Sequence, residues 1–334
     1  MHPLRDAIVG DAVGKTGKDM APRLAALIAT MIGVSDAALA QGYPDRTVEI
    51  TVPSSPGATA DMLGRVLADG FTQQLGQRFI VVNKAAASGV VGSAAVAQAK
   101  PDGYTLLHGA AFSLTVIPLT DMQAGYTHKS FTPICRTFKN DQVIVLPPGS
   151  PFKSVRDLID AAKASPGRLN YGHPGIATIP HLAMTELSRL AGVEFNQVPF
   201  KGPAEAVQMT RAGQLDLAVV PLPTAAGSGL RMPALFAAAR NPAVPEVPTL
   251  KEQGLDVAPV SVGALVGPAG LPADVTRILG EACRDAARGD AYVRLAKSTF
   301  QPDDYYAEGA TLARELDADA AEKKRLLSSL GLLK

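Results

Sequence analysis

Short β-rich runs alternate with amphipathic stretches from Tyr43 onward. Within residues 59–75 the apolar side chains recur three and four residues apart, which is the pattern of one helix face, and Gly76 follows as a stop signal. This block predicts strands at 48–52, 79–82 and 104–107, and helices at 59–75 and 89–99. Strands that alternate with helices are typical of parallel β-α-β units, and therefore of α/β sheets with helices on both faces.

The middle of the chain repeats this pattern. Ser154, with Asp157 three residues later, is a variant of the capping box and predicts the start of a helix. Further strands are predicted at 143–146, 169–171, 195–199, 215–220 and 260–266, and further helices at 180–190, 204–212, 272–288, 290–297 and 303–330. Two αβ blocks before a mostly helical tail indicate a pair of lobes, and 334 residues exceed what one compact core usually absorbs.

The first forty residues differ from the rest. Arg23 precedes a short apolar run, 24–34, and Ala38 with Ala40 completes an A-x-A site. This is the order of a secretory signal peptide, so we predict that residues 1–40 are a leader cleaved near Ala40. The run is too short to span a bilayer permanently. The alternative is an N-terminal amphipathic helix, and Met20 leaves open whether residues 1–19 are translated.

Composition narrows the possible partners. A formal net charge of +1 offers no electrostatic basis for binding nucleic acid or an anionic membrane surface. The absence of Trp argues against a stacking platform for bases. Neither Cys135 nor Cys283 has a metal-type neighbour, so no metal and no cofactor is expected. Export permits a disulfide, but we interpret the two cysteines as buried free thiols rather than a bridge.

The common motifs of covalent catalysis are missing from the sequence. There is no G-x-S-x-G elbow, and no Cys stands beside a His. Residues 10–16 resemble a phosphate loop that is one residue short and has no preceding strand. The pair Asp303-Asp304 is interpreted as the acidic start of a helix. We therefore expect no enzymatic activity, and an α/β hydrolase or transferase is the weaker alternative.

Candidate binding chemistry lies in the loops between predicted strands and helices. In open α/β sheets ligands bind at the carboxyl ends of strands, where the free N–H groups and the dipole of helix N-termini attract anions. Four such loops are small, hydroxylated or glycine-containing: 53–61, 109–113, 171–181 and 200–203. Their candidate ligand-binding residues are Ser54, Ser55, Ala58, Thr59, Asp61, Ala110, Phe112, Ser113, His173, Ala177, Thr178, Lys201 and Gly202.

Each candidate has a structural alternative. Thr59 or Asp61 can serve only as a helix cap, and Asp61 would repel an anion unless water or a ligand amine intervened. His173 and His181 can be packing or capping residues. Lys201 can be a solvated surface charge.

A series of short motifs runs from Tyr43 toward the C-terminus. The motifs are Tyr43-Pro44-Asp45-Arg46, Pro56-Gly57-x-Thr59-Ala60-Asp61, Asp102-Gly103-Tyr104-Thr105, Pro166-Gly167-x-Leu169-Asn170-Tyr171, Val198-Pro199-Phe200-Lys201-Gly202, Gly213-Gln214-Leu215-Asp216 and Glu246-Val247-Pro248-Thr249. Each motif is weak alone, but their order and spacing are specific. Through them the chain, from about Tyr43 to the C-terminus, resembles the tripartite tricarboxylate transporter substrate-binding family, also called the Bug receptors.

This resemblance implies a type II periplasmic binding protein, a Venus flytrap of two αβ lobes joined by crossing strands. We expect one lobe from 41–139 plus 252–334 and the other from 140–251. Such receptors hold a ligand carboxylate through backbone amides, hydroxyls and ordered waters, and deliver it to a membrane permease of a large and a small subunit. The expected partners are therefore a small organic acid and the permease subunits, and we expect a periplasmic monomer.

Several positions depart from the family pattern, most of them at the predicted cleft. Ala58 replaces the second glycine of Pro-Gly-Gly, and Pro203 stands where serine is common, which removes one N–H and one hydroxyl. Pro221 replaces an asparagine, and Val262-Gly263 replaces an aromatic pair. Val262 joins the candidate ligand contacts for that reason. We infer that the ligand differs from a simple dicarboxylate, or that this copy binds weakly.

We interpret the chain as a transport receptor whose affinity comes from lobe closure on the ligand. A periplasmic sensor subunit for a signalling system, built on the same clamshell, is an alternative that the sequence does not separate from it. The sequence does not identify the ligand.

Overall fold

The computed structural model describes residues 42–259 and 262–333, whose strands form two separate sheets. The first sheet contains β1 (Val48–Val52), β2 (Phe79–Asn83), β3 (Thr105–Ala110), β4 (Phe131–Lys139), β10 (Val262–Pro268) and β11 (Ala307–Glu308). The second contains β5 (Gln142–Leu146), β6 (Asn170–His173), β7 (Asn196–Pro199), β8 (Leu217–Pro221) and β9 (Arg231–Phe236).

The helices lie between these strands and in the C-terminal part of the chain. They are α1 (Thr59–Leu75), α2 (Val90–Ala97), α3 (Phe112–Thr115), α4 (Ile117–Thr120), α5 (Val155–Ala164), α6 (Ile179–Ala191), α7 (Pro203–Arg211), α8 (Leu222–Ala226), α9 (Ala273–Arg288), α10 (Asp290–Ser298) and α11 (Gly309–Ser329). In the part of the chain that the structure describes, no helix has both the length and the apolar surface needed to cross a membrane.

The chain leaves the first sheet and later returns to it. The order of this sheet is β11-β4-β10-β3-β1-β2, in which β1 is parallel to β2 and β3 while β10 is antiparallel to β3 and β4. The chain therefore exits after Lys139 and re-enters at Val262, where β10 lies between β3 and β4, two strands that precede the exit in the sequence.

The strands between these two points, β5 to β9, form the second sheet in the order β7-β6-β8-β5-β9. Here β6 is parallel to β7 and β8, and β5 is antiparallel to β8 and β9. We call the elements on the six-stranded sheet the first lobe and those on the five-stranded sheet the second lobe. The predicted two-lobed α/β fold is confirmed, while the predicted boundaries at 139/140 and 251/252 stay predictions.

Most predicted elements are present, and β1 and α1 have the predicted bounds. The capping box is also confirmed, since the Ser154 hydroxyl accepts from the Asp157 N–H at 3.2 Å and the Asp157 carboxylate accepts from the Ser154 N–H at 3.1 Å. Besides the two-residue β11, the strands β4 and β9 were not predicted. Each contains a proline and β4 also contains Arg136, so neither has the uninterrupted apolar pattern of a buried strand.

The prediction of a helix starting at Asp303 is wrong. The helix α11 begins at Gly309, after the short strand β11 has paired with β4. Asp304 forms an ion pair with Lys139 instead of opening a helix. The prediction of a strand at 260–266 falls partly on residues 260 and 261, which lie outside the described residues, and β10 begins at Val262.

The two cysteines form a disulfide, so the prediction of free thiols is wrong. Cys135 lies on β4 and Cys283 on α9, which packs against that strand, and both side chains are fully buried. Their Cα atoms are 6.6 Å apart, within the range that a disulfide spans. The two cysteines are 148 residues apart along the chain, and nothing in the sequence indicates that they lie close together.

The last helix connects the lobes through its C-terminal end. Leu326 and Leu327 of α11 pack in one apolar cluster with Val116 of the first lobe and with Ile179 and Leu182 of the second. Arg325 extends this contact through an ion pair with Glu186 of α6 at 3.3 Å.

A buried ion pair lies one turn before this contact. The Lys323 ammonium is 3.2 Å from Asp319 Oδ1, without the alignment of a hydrogen bond, and both side chains are buried. The Thr115 hydroxyl donates to the other carboxylate oxygen at 2.6 Å. Because each charge has the other as its partner in a dry environment, removing one leaves the other uncompensated.

Replacement of both cysteines by alanine should lower the free energy of unfolding by about 2–5 kcal/mol, because the cross-link that restrains the unfolded chain is lost. Urea denaturation with and without dithiothreitol measures the effect. The reductant should destabilise the parent protein and leave the double variant unchanged. Equal midpoints for the oxidised and reduced parent protein would contradict the bridge.

Substitution Lys323→Met should cost about 3–5 kcal/mol of stability, because Asp319 is then a buried charge without a cation. The double variant Lys323→Met/Asp319→Leu should recover most of that loss. A double-mutant cycle by chemical denaturation tests this, and additive effects of the two substitutions would refute the pairing.

Candidate ligand-binding cleft

A cavity of about 440 Å³ lies between the two lobes. One wall comes from the ends of β1 and β3 and the starts of α1 and α3, and the other from the starts of α7 and α8. Its lining residues are Pro53, Ser54, Ala58, Thr59, Ala60, Gly109, Ala110, Phe112, Ser113, Phe138, Asn140, Pro203, Pro221, Pro223 and Thr224. Two other depressions of similar or larger size are lined by first-lobe elements alone. The interlobe cavity is lined by strand ends and helix starts of both lobes.

The start of α1 presents unsatisfied donors to this cavity. The residue before the helix is Ala58, whose methyl group cannot accept a hydrogen bond, so no side chain caps the first turn. Ala58, Thr59 and Ala60 all line the cavity. A helix of 17 residues whose first N–H groups lie open at a cavity favours an anionic group there.

Hydroxyl groups surround this helix start. Ser54 Oγ is buried and has no hydrogen-bond partner among the described residues. The Ser113 hydroxyl donates to the Ala110 carbonyl at 3.0 Å and keeps its lone pairs. Thr59 lies in the first turn of α1 and lines the same wall. The first-lobe wall therefore combines backbone N–H groups with hydroxyls and no charge.

Asp61 stabilises the loop before α1 and does not line the cavity. Its carboxylate accepts from the Gly57 N–H at 2.8 Å and from the Asn83 amide at 2.9 Å, and it pairs with Arg65 at 2.8 Å. Burial raises the pKa of Asp61, but the hydrogen bonds from Arg65, Gly57 and Asn83 outweigh it and lower the pKa below its usual value. The carboxylate thus fixes the position of the open helix start.

A buried histidine supports the cavity floor. His108 of β3 is fully buried, with Nδ1 3.0 Å from the Ala60 carbonyl oxygen and Nε2 2.9 Å from the Thr137 hydroxyl. Burial lowers the pKa of His108 to about 4, against the opposing effects of the Ala60 carbonyl and the Asp61 carboxylate. The ring of Phe138 meets His108 edge-on at 5.8 Å and occupies the space that a Cβ at Gly263 would need.

The second-lobe wall differs from the first because it is rich in proline. Pro203 is the first residue of α7, Pro221 the last residue of β8, and Pro223 lies in α8. Proline has no backbone N–H, so none of these positions donates a hydrogen bond. Thr224 supplies the hydroxyl on this side.

The end of β6, the loop after it and the first turn of α6 contain His173, Ala177, Thr178 and His181, none of which lines the cavity. His173 is buried, with Nδ1 2.8 Å from the Gly175 carbonyl oxygen, and its ring stacks on His181 at 4.8 Å. Burial, together with the neighbouring His173, lowers the pKa of His181 to about 4. The Thr178 hydroxyl donates to the Gly175 carbonyl at 2.7 Å, and Ala177 adopts a positive φ of 60°. These contacts stabilise the loop internally.

The remaining predicted residues also lie away from the cavity lining. Ser55 and Lys201 are exposed, and the Lys201 N–H binds the Glu205 carboxylate at 3.2 Å. Gly202 precedes α7, and Val262 lines a separate cavity of about 170 Å³ with Arg136. No structural observation tests a ligand contact at any predicted residue, so the site assignment stays a prediction.

The structure brings Phe138, Asn140, Pro223 and Thr224 into the cavity, and none of them was a candidate. Phe138 and Asn140 lie at the end of β4, the strand that was not predicted, so the sequence offered no reason to place a carboxyl end there. Among the described residues, no group of three or more His, Cys, Asp or Glu side chains is arranged to hold a metal ion.

Two αβ lobes with a cavity at the ends of their strands are the architecture of the periplasmic solute-binding proteins. A family model described as "Tripartite tricarboxylate transporter family receptor" matches residues 63–332. A Cupriavidus necator protein named "UPF0065 protein in gbd 5'region" is 32% identical over 300 residues, which cover 89% of this chain and 91% of that protein. The chain belongs to the tripartite tricarboxylate transporter receptor family.

Solved structures agree with this assignment. A TctC solute-binding protein from Polaromonas aligns with a TM-score of 0.76 and 29% identity, over 86% of this chain and 99% of that chain. An R. palustris protein, solved with adipate, aligns with a TM-score of 0.72 and 26% identity, over 86% and 98% of the two chains. The family is a class of substrate-binding receptors and not a class of enzymes.

Acidification from pH 6.5 toward pH 4 should destabilise the protein, because the pKa of His108 is about 4 in the folded state and 6.5 ordinarily. Between these values the unfolded chain binds a proton that the native state does not, so stability rises with pH in this window. His108 alone contributes about 3 kcal/mol across it.

Urea denaturation at half-unit pH steps measures this slope. The variant His108→Gln should have a shallower dependence, by up to about 1.4 kcal/mol per pH unit, whatever its absolute stability. The same slope in both proteins would mean that His108 is not buried in the neutral form.

Proposed function

We propose that this protein is an extracytoplasmic receptor that captures a small carboxylate-containing ligand between its two lobes and delivers it to a tripartite tricarboxylate-type permease. The observation that carries the proposal is the interlobe cavity, with the uncapped start of α1 and the hydroxyls of Ser54, Thr59 and Ser113 on one wall. Membership of the receptor family and the adipate-bound R. palustris structure support it.

The geometry supplies a binding mode for a carboxylate. The oxygens accept from the first N–H groups of α1, where the helix dipole favours negative charge. The hydroxyls of Thr59 and Ser54 donate further hydrogen bonds, with ordered water filling gaps. Neutral donors bind the anion here without a cation, as expected for a site that must also release its ligand.

Closure of the lobes then stabilises the bound state. A ligand that contacts both walls has more interactions when the lobes are together, and it shifts the population toward that form. The cluster of Val116, Ile179, Leu182, Leu326 and Leu327 gives the lobes a second contact besides the connecting strands.

The proposal includes a periplasmic location and a membrane permease as partner. The predicted leader, with cleavage near Ala40, falls outside the described residues and supports a periplasmic location. The family name supports the permease as partner. Ligand capture is the activity that we propose.

Substitution Thr59→Val should weaken acid binding by about 1–3 kcal/mol, because a hydroxyl facing the ligand is lost while side-chain volume is kept. A thermal-shift screen of aliphatic and aromatic mono- and dicarboxylates identifies the ligand as the acid that stabilises the parent protein most. Isothermal titration calorimetry then measures its affinity for the parent protein and for the variant.

The matched control is Thr276→Val, in the first turns of α9 and away from the cavity, where the hydroxyl donates to the Pro272 carbonyl. This variant should bind as the parent does. If no acid in the screen stabilises the parent protein, carboxylate capture is excluded; if Thr59→Val binds normally, the carboxylate lies elsewhere.

A further inference from the structure

We propose that the ligand is a monocarboxylate with an apolar body, held with its carboxylate against the first lobe and its hydrocarbon end against the proline wall of the second. This inference rests on the proposed function, because it assumes that the cavity binds an organic acid. It names the class of acid that the two walls select.

The donors of the cavity are concentrated on one side. The first-lobe wall has the open start of α1 and three hydroxyl-bearing residues, one of which, Ser54, has a buried hydroxyl without a partner among the described residues. One carboxylate is enough to occupy these groups.

The opposite wall offers little to a second carboxylate. Pro203, Pro221 and Pro223 have no N–H to donate. Pro203 also takes the first position of α7, whose first turn already contains the carboxylate of Glu205 bonded to the Lys201 N–H at 3.2 Å. Both the missing donors and the nearby negative charge disfavour an anion at this helix start.

No charged side chain is among the described residues that line the cavity, and Asn140 supplies the one amide. A second ionised group would therefore be desolvated against prolines without a cation or a set of hydrogen bonds, which is strongly unfavourable. An alkyl or phenyl group would instead bury apolar surface against these prolines and against the rings of Phe112 and Phe138.

Hexanoate and adipate form a matched pair of probes, because both have six carbons and adipate differs by a second terminal carboxylate. Isothermal titration calorimetry of the whole protein should give an affinity for hexanoate at least tenfold higher than for adipate at neutral pH. Equal affinities, or tighter binding of adipate, would overturn the inference while leaving carboxylate capture intact. Failure of both acids to bind would overturn the inference and count against the proposed function as well.

Variant Pro203→Ser tests the role of the proline wall directly. Serine restores an N–H and a hydroxyl at the start of α7, so adipate binding should strengthen about threefold to tenfold while hexanoate binding changes little. The control Pro272→Ser, at an exposed proline before α9, should leave the ratio of the two affinities unchanged. Thr59→Val should weaken both acids alike, because it acts on the end that they share. A ratio that Pro203→Ser leaves unchanged, in a variant whose circular dichroism matches the parent, would exclude Pro203 as the discriminating residue.

Discussion

The pairing of β4 with β10 is the constraint on which the rest of the structure depends. The antiparallel ladder places Val262 opposite Lys139 and Gly263 opposite Phe138, so the strand by which the chain leaves the first lobe lies beside the strand by which it returns. The chain crosses between the lobes at this place, and the end of β4 also lines the cavity. The missing side chain of Gly263 leaves room for the ring of Phe138, which becomes part of the cavity floor. The disulfide at Cys135 and the buried Arg136 fasten β4 to the helical C-terminal part of the chain.

The charged groups near the cleft serve the architecture, and the neutral groups line the cavity. The Asp61 carboxylate bonds to the loop that it stabilises and does not line the cavity. Arg65 and the N–H donors of Gly57 and Asn83 neutralise its charge there. His108 is kept neutral by burial between α1 and β4. What remains open is a set of backbone N–H groups and hydroxyls. In the function that we propose, this wall binds the anion through hydrogen-bond geometry, and the wall across the cavity sets specificity.

Local patterns predicted much of the fold because their signals lie within a few residues. The bounds of α1 and the capping box of α5 follow from spacing and from side chains that bond to their own helix start. The loops at 53–61 and 109–113 were predicted as site elements for the same reason, and both line the cavity. The loop at 171–181 has a similar composition, yet its hydroxyl and imidazole groups bind the carbonyl and N–H groups of their own loop. Composition cannot distinguish these cases, because both need the same residue types.

By itself, the sequence determined the alternation of strands and helices, the division into two αβ blocks and the family resemblance, since each is written in short-range spacing and motif order. Only the tertiary structure decided that Cys135 meets Cys283, that β4 exists despite Pro133 and Arg136, and that Phe138 and Asn140 reach the cavity. These outcomes depend on contacts between residues more than a hundred positions apart. They also depend on the position of β10 between β3 and β4 in the first sheet. Nothing local encodes such contacts, because their free energy comes from packing that exists only once these distant segments have come together.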